Sequence, residues 1–288
     1  MRLLWFVSEP AQETAFLTHF AEASNTQTVL HRRASEWDVP PSCDCFEILN
    51  SSATEADVKA WAEACQTDVL CLNSPIPKLA LFDMDSTLIQ HEVIDELAAE
   101  FGLGAQVSAI TARAMRGELD FVESFTERLG LLAGLSESAL ESVYARLQLM
   151  PGADVLMANF RAGGVRTGIV SGGFSFFAER FKARLGMDFV LSNPLECVDG
   201  QVTGRVIPPV IDGAVKESTL RSEAEGMGLA LADTLAVGDG ANDIPMLLAA
   251  GTGVAFHAKP AVAARANHVM RYQDLSALSY LLPAPTGA

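Results

Sequence analysis

The sequence predicts an α/β protein: a Rossmann-like parallel sheet covered by helices, with a helical cap insertion and a small N-terminal α+β domain of ferredoxin-like type. Three observations carry this. From Lys78 onward, short apolar runs at Leu79–Phe82, Val165–Val170, Phe189–Leu191, Leu235–Val237 and Val254–Phe256 alternate with helical patterns. That alternation marks a parallel sheet with both faces covered. Between the first two runs, about residues 93–150, apolar residues recur at helical spacing, which reads as a cap over the carboxyl edge of the sheet. Before residue 75 the order is strand, helix, strand, strand, helix, strand, which suits a split βαβ unit.

In the N-terminal unit, residues 1–74, Leu3–Val7 is apolar and β-prone, and Pro10 opens a helical pattern through Phe16, Leu17, Phe20 and Ala21. Strands follow at Gln27–His31 and Phe46–Leu49, separated by Pro40-Pro41. Ser52 and Thr54 are candidate caps for a helix carrying Val58, Trp61 and Ala62, and Val69–Leu72 closes the unit. Ser74-Pro75-Ile76-Pro77 reads as a linker to the second unit, residues 78–288. The cap shows three apolar groups: Ile94, Leu97 and Ala98; Phe121, Phe125, Leu129 and Leu132; Leu140, Val143 and Leu147. Asp199-Gly200 between Val198 and Val202 is a hairpin signal.

The bulk properties exclude several classes. With 49% hydrophobic and 19% charged residues the chain can build a sizeable core. No run approaches the roughly 18 apolar residues of a membrane span, and Leu3–Val7 is too short for a signal peptide, so a cytoplasmic location is expected. A net charge of −16 argues against nucleic acid as a partner. An anionic substrate then needs local positive charge from a cation, Arg or Lys. The five cysteines form no framework, and Cys43-Asp44-Cys45 lacks a second ligand pair for a metal.

The chemistry gathers where ligands gather in open α/β sheets, at the carboxyl ends of the strands. The first run ends in Asp83-Met84-Asp85-Ser86-Thr87, the second in Ser171-Gly172-Gly173, the third in Gly238-Asp239-Gly240-Ala241-Asn242-Asp243. Lys216 lies between the last two, near a helix start. These parts fit phosphoryl transfer, where catalysis is mostly positioning and charge neutralisation. Asp83 can attack phosphorus, and Asp85 can protonate the leaving oxygen and then activate water. Ser171 and the Gly172 N–H, at a helix start, can bind phosphate oxygens, with Lys216 as a point charge. Asp83, Asp239 and Asp243 can offer hard oxygens to Mg²⁺. Taken singly, each of these residues also suits a turn, a cap or the surface; their combination in order at strand ends is the signal. Two rival motifs fail. Asp243 stands where a dinucleotide fingerprint needs its third Gly, and Ile169 stands at the first Gly position of a G-x-S-x-G elbow.

With these residues, the chain from about Lys78 onward resembles the haloacid dehalogenase superfamily, and within it the phosphoserine phosphatases. The resemblance implies Mg²⁺-dependent hydrolysis of O-phospho-L-serine through an aspartyl-phosphate on Asp83, the last step of serine biosynthesis. It implies Asp85 as proton donor, and metal held by Asp83, Asp239 and the backbone carbonyl of Asp85, with Asp243 supporting metal and lysine. Ser171, Gly172, Lys216 and Asn242 would hold phosphate. In the cap, Glu92 and Arg128 fall where the family binds the substrate ammonium and carboxylate, and Met115 and Phe121 would wall the pocket. Other readings of the cap stay open: Glu92 as a helix N-terminal charge, and Arg128 paired with Glu127 or Glu123. Another phosphomonoesterase, or a phosphotransferase to an acceptor such as homoserine, is the second enzymatic reading. For the N-terminal unit, packing is the leading role, with ligand sensing or a homodimer contact as alternatives.

Overall fold

The computed structural model describes residues 2–9, 11–14, 28–49 and 54–284. The expected helix through Phe16, Leu17, Phe20 and Ala21 lies outside the described residues, as does the candidate cap Ser52.

A four-stranded antiparallel sheet comes first, built from β1 (Arg2–Val7), β2 (Thr28–Arg32), β3 (Asp44–Leu49) and β4 (Val69–Leu72) in the order β2-β3-β1-β4. Helix α1 (Glu55–Ala64) is capped by the Thr54 hydroxyl, which accepts from Asp57 N. Along β1 successive side chains point to opposite faces. Leu3, Trp5 and Val7 pack with Val58 and Ala62 of α1, while Leu4 and Phe6 enter the main core with Tyr280 and Leu282. Both faces of β1 are thus buried, which explains its unbroken apolar run.

The main sheet has six parallel strands in the order β12-β11-β10-β5-β6-β7. They are β5 (Leu79–Phe82), β6 (Arg166–Phe174), β7 (Phe189–Asn193), β10 (Thr234–Gly238), β11 (Thr252–Phe256) and β12 (His268–Met270). Five match the sequence reading. The edge strand β12 was not foreseen, because three residues led by a histidine carry too little apolar pattern. The short strands β8 (Cys197–Val198) and β9 (Gln201–Val202) form the expected hairpin, with Asp199 and Gly200 both at positive φ as a two-residue turn of this kind requires.

The cap contains α2 (Val93–Glu100), α3 (Gly104–Met115), α4 (Phe121–Leu131) and α5 (Glu137–Arg146). Three of these follow the apolar groups read from sequence. Helix α3 has no such group, since it buries only Val107 and Ile110. The hairpin holds the far end of the cap: Gly134 N donates to Val202 O and Val202 N to Leu135 O, both at 2.8 Å. Five further helices, α6 (Ala153–Ala162), α7 (Ser175–Leu185), α8 (Gly213–Gly226), α9 (Ile244–Ala249) and α10 (Pro260–Ala263), follow in the chain.

The segment Ser74-Pro75-Ile76-Pro77 joins two sheets that are tied directly together. Arg32, 4% exposed, donates to Glu47, to Tyr280 O at 2.8 Å and to Leu282 O at 2.7 Å. The Asp68 carboxylate accepts from the backbone N–H groups of Arg271, Tyr272 and Gln273. Among the described residues no helix is long and apolar enough to cross a membrane.

Candidate active site

The carboxyl ends of β5, β6 and β10 meet under the cap around a cavity of about 200 Å³. Its walls include Asp83, Asp85, Glu92, Phe121, Phe125, Arg128, Ser171, Gly172, Asp239, Asn242 and Lys259. The sequence-selected segments are therefore brought together, with one exception. Met115 is 73% exposed and lies outside the cavity wall. It ends a helix that packs inward through Val107 and Ile110.

Asp83 follows β5 immediately, and its N–H still donates to Val237 O at 3.0 Å, so the parallel pairing with β10 fixes its backbone. Its Oδ1 accepts from Met84 N at 2.7 Å and sits 2.9 Å from Lys216 Nζ. Both contacts fall on one oxygen, and Oδ2 accepts no hydrogen bond among the described residues. Lys216, on the first turn of α8, is fully buried and also donates to Asp243 Oδ1 at 2.7 Å. Asp243 is fully buried too, and its Oδ2 accepts from Gly240 N at 2.9 Å. One ammonium thus bridges two buried carboxylates. Its pKa is raised: burial alone would lower it, but Asp243 and then Asp83 outweigh that cost.

Asp85 stands differently. Its Oδ1 accepts from Val93 N at 3.1 Å and so caps α2 from outside the helix. Its pKa is pushed well above the usual carboxylate range, first by burial, then by the charges of Glu92 and Asp83. Asp239 and Asp243 are each pushed up to about 7, again by burial first and Asp83 second.

The turn after Val170 differs from the sequence reading in one respect. Strand β6 does not stop at Val170; it continues to Phe174, with a register break between Ser171 and Phe174. The Gly172 amide therefore sits in a β-bulge, and α7 begins only at Ser175. Ser171 Oγ accepts from Gly173 N at 2.9 Å, which curls the bulge. A Cβ built at Gly173 would lie 2.6 Å from Asp85 Oδ2 and 3.1 Å from Ser171 Oγ. Gly173→Ala is therefore expected to lower turnover at least about 10²-fold by displacing both groups, as small misplacements in a site do. Steady-state kinetics and a melting curve check this; full activity would show that the bulge has more slack than its geometry allows.

Several contributors carried no signal strong enough for sequence reasoning. Asn193, 2% exposed, donates to Gly172 O at 2.8 Å and accepts from Ile211 N at 2.9 Å, tying the bulge to the loop before α8. Its one sequence cue is an Asn at the end of an apolar strand. Thr87 donates to Asp239 Oδ1 at 3.2 Å. Phe125 stacks on Phe121, and Lys259 arrives from the loop after β11.

In the cap the alternative pairings do not hold. Glu127 binds Arg113 at 2.6 Å, and Glu123 completes a capping box with Asp120. Arg128 donates only to Ser124 O, at 3.3 Å, and no carboxylate among the described residues lies within ion-pair distance of it. Burial pushes its pKa down. Glu92 occupies the N-cap position of α2 without capping it; its carboxylate accepts from Ser86 Oγ at 2.9 Å, and burial raises its pKa.

Carboxylate oxygens of Asp83, Asp239 and Asp243 lie within 4.8 Å of one another. The donor set is all oxygen, and one buried lysine cannot balance the acidic charge there, so the cluster suits a hard divalent cation. The Asp85 side chain is not in this cluster, in keeping with the expectation that Asp85 offers its backbone carbonyl; its Oδ1 is held by α2. Without metal, the raised pKa values of Asp239 and Asp243 mean that the folded chain holds protons between pH ~4 and 7 that the unfolded chain has released. Stability then falls as pH rises through that window. The gain in Tm from added divalent cation is expected to be larger at about pH 8 than at about pH 5, since metal binding displaces those protons. Thermal shifts at the two pH values measure it, and equal shifts would contradict it.

A family model for haloacid dehalogenase-like hydrolases matches residues 80–248. The chain belongs to this family. It is 48% identical over 210 residues to phosphoserine phosphatase SerB2 of Mycobacterium tuberculosis, a match covering 73% of this chain and 51% of that protein. It is 45% identical over 202 residues to a phosphoserine phosphatase of Streptococcus thermophilus, covering 70% of this chain and 94% of that one. Of solved structures, a haloacid dehalogenase family hydrolase from Salmonella enterica serovar Typhi superposes with a TM-score of 0.89 at 32% identity, over 98% of this chain and 99% of that chain. The match spans only about half the length of the mycobacterial relative. The haloacid dehalogenase segment holds every residue of the Asp83–Lys216–Asp243 bridge and the Ser171 bulge.

Proposed function

We propose that the protein is a phosphoserine phosphatase, hydrolysing O-phospho-L-serine to L-serine and phosphate with Mg²⁺ as cofactor. The observation that carries this is Arg128: a partly buried guanidinium with no ion pair among the described residues, on the wall of the cavity that also holds Asp83 and Ser171. A cavity that leaves a fork-shaped cation open beside a phosphoryl-transfer centre is built for a substrate with a carboxylate as well as a phosphate. Glu92, on the same wall, gives that substrate's ammonium a counter-charge. The names of the relatives, phosphoserine phosphatases, support the same reading.

In the first step Asp83 Oδ2 attacks phosphorus. A new O–P bond forms and the bond from phosphorus to the seryl oxygen breaks. Asp85, which burial keeps protonated above the usual carboxylate range, gives its proton to the departing seryl oxygen. Lys216 holds Asp83 Oδ1 and so aims the other oxygen. Ser171, the Gly172 amide and Asn242 bind the phosphoryl oxygens. In the second step Asp85, now a carboxylate, takes a proton from water; the water oxygen attacks phosphorus, the Asp83 O–P bond breaks, and phosphate leaves. Mg²⁺, held by Asp83, Asp239 and the backbone carbonyl of Asp85 with Asp243 behind, would neutralise charge on the reacting oxygens. The same reading divides the chain into an N-terminal ferredoxin-like unit, 1–74, and a phosphatase unit, 78–288, with its cap at about 93–150.

Arg128→Ala tests the substrate assignment. It is expected to lower kcat/KM for phosphoserine about 10²-fold or more, the worth of a charge-assisted contact, while changing hydrolysis of a carboxylate-free aryl phosphate only a few-fold. Equal losses on both substrates would remove the carboxylate role.

A further inference from the structure

Lys259 lines the cavity, yet the steps above give it no task. Strand β11 ends at Phe256, and His257 turns the chain at φ 45°, its ring stacked on Phe256 and its Nε2 3.0 Å from Gln273 O. Pro260 then starts α10. The backbone on both sides of Lys259 is therefore held, while its side chain is exposed and forms no hydrogen bond or ion pair among the described residues. An exposed residue that also lines a cavity stands at its rim.

The field at that rim is unfavourable for an anion. The chain carries −16, and the cavity wall presents the carboxylates of Asp83, Glu92 and Asp239, beside the protonated Asp85, against Arg128 and Lys259. Lys216 is buried and committed to Asp83 and Asp243, so it cannot act on a ligand still in solvent. Among the described residues of the wall, Lys259 is the exposed cation, whereas Arg128 is half-buried. The Lys259 ammonium opposes the burial that raises the Glu92 pKa, so the two charges act on one another at the cavity wall.

We propose that Lys259 is the entry residue of this site: its ammonium attracts the substrate's dianionic phosphate past the rim of carboxylates towards Ser171, Gly172 and Lys216. This rests on the phosphomonoesterase reading above. Charges at a rim act mainly on association and on its salt dependence, and leave the chemical step alone.

The test compares Lys259→Glu, Lys259→Arg and wild type as full-length protein with Mg²⁺. The control Lys182→Glu, in α7, makes the same charge change away from the cavity, at a residue paired with Glu179. kcat and KM are measured for phosphoserine and for an aryl phosphate at low and high ionic strength, and calorimetry gives the affinity for inorganic phosphate. Lys259→Glu is expected to lower kcat/KM for both substrates about 10-fold or more at low salt, with kcat within about twofold. The deficit should shrink to about twofold or less at roughly 0.5 M salt, where screening is strong. Phosphate affinity should weaken in parallel, and Lys259→Arg and Lys182→Glu should behave as wild type. No change in Lys259→Glu, a loss that ignores salt, or a fall in kcat at constant KM would each overturn the proposal. If wild type cleaves the aryl phosphate and not phosphoserine, the substrate reading fails and Lys259 is judged on the aryl phosphate. If it cleaves neither, the enzymatic reading fails, and the salt-dependent affinity for inorganic phosphate still decides the role of Lys259.

Discussion

Replacing Asp83 by Asn is expected to remove turnover, by at least about 10⁴-fold, while the protein stays folded. Loss of a covalent nucleophile costs on that scale because the residual rate comes only from binding and positioning. The fold should survive because the substitution is isosteric and removes a negative charge from a crowded site. The Asp83 backbone is pinned through its N–H to Val237 O, independently of the side chain. An amide oxygen at the Oδ1 position can still accept from Met84 N and Lys216, so the local geometry has a means of persisting. Removing a charge that raises the pKa of Asp239 and Asp243 should also make the metal-free protein somewhat more stable at neutral pH. A phosphate-release assay with a melting curve checks both halves. Substantial activity in the Asn variant would place the nucleophile elsewhere.

Lys216→Met carries the second large effect, and it falls on stability as well as rate. Lys216 and Asp243 are both fully buried, and Asp83 nearly so. Removing one partner from a buried ion pair strands the other charge, at a cost of about 3–5 kcal/mol. Here two carboxylates are stranded by a single substitution, so the upper part of that range is expected in metal-free protein at neutral pH. Two controls separate this from simple loss of packing. Lowering the pH to about 5 should recover part of the loss, because the stranded carboxylates can then take up protons. Adding Asp243→Asn should also recover part of it, since the charge with the deepest burial is gone. A loss indifferent to pH and to the second substitution would mean that the lysine stem, rather than its charge, supports the site. Turnover should stay low in all these variants, because Asp83 Oδ1 has lost the cation that orients it.

The convergence of the candidate-site segments was legible in the sequence, and the reason is local. Strand ends in a parallel sheet fall on one edge, so Asp83, Ser171 and Asp239 had to converge once their strands were recognised. What resisted reading depended on packing between segments distant in the chain. The exposure of Met115 follows from which face of α3 packs inward, and that helix buries only Val107 and Ile110. The bulge at Ser171–Phe174 is set by pairing with β7, so an apolar run ending at Val170 could not reveal it. Asn193 acts through Gly172 O and Ile211 N, contacts that its own sequence neighbours do not predict. The pairing of Glu127 with Arg113, from a helix absent from the sequence reading, is what leaves Arg128 open. The two buried faces of β1 likewise explain why the N-terminal unit read as apolar without revealing how it docks.

A covalent phosphoryl group on Asp83 is the intermediate this mechanism requires. Wild-type protein mixed with Mg²⁺ and O-phospho-L-serine, quenched in acid within one turnover and digested, should yield a peptide containing Asp83 heavier by one phosphoryl group. The adduct should be missing from the Asp83→Asn variant. Hydrolysis of phosphoserine without any such adduct, or with the added mass on another residue, would contradict the account.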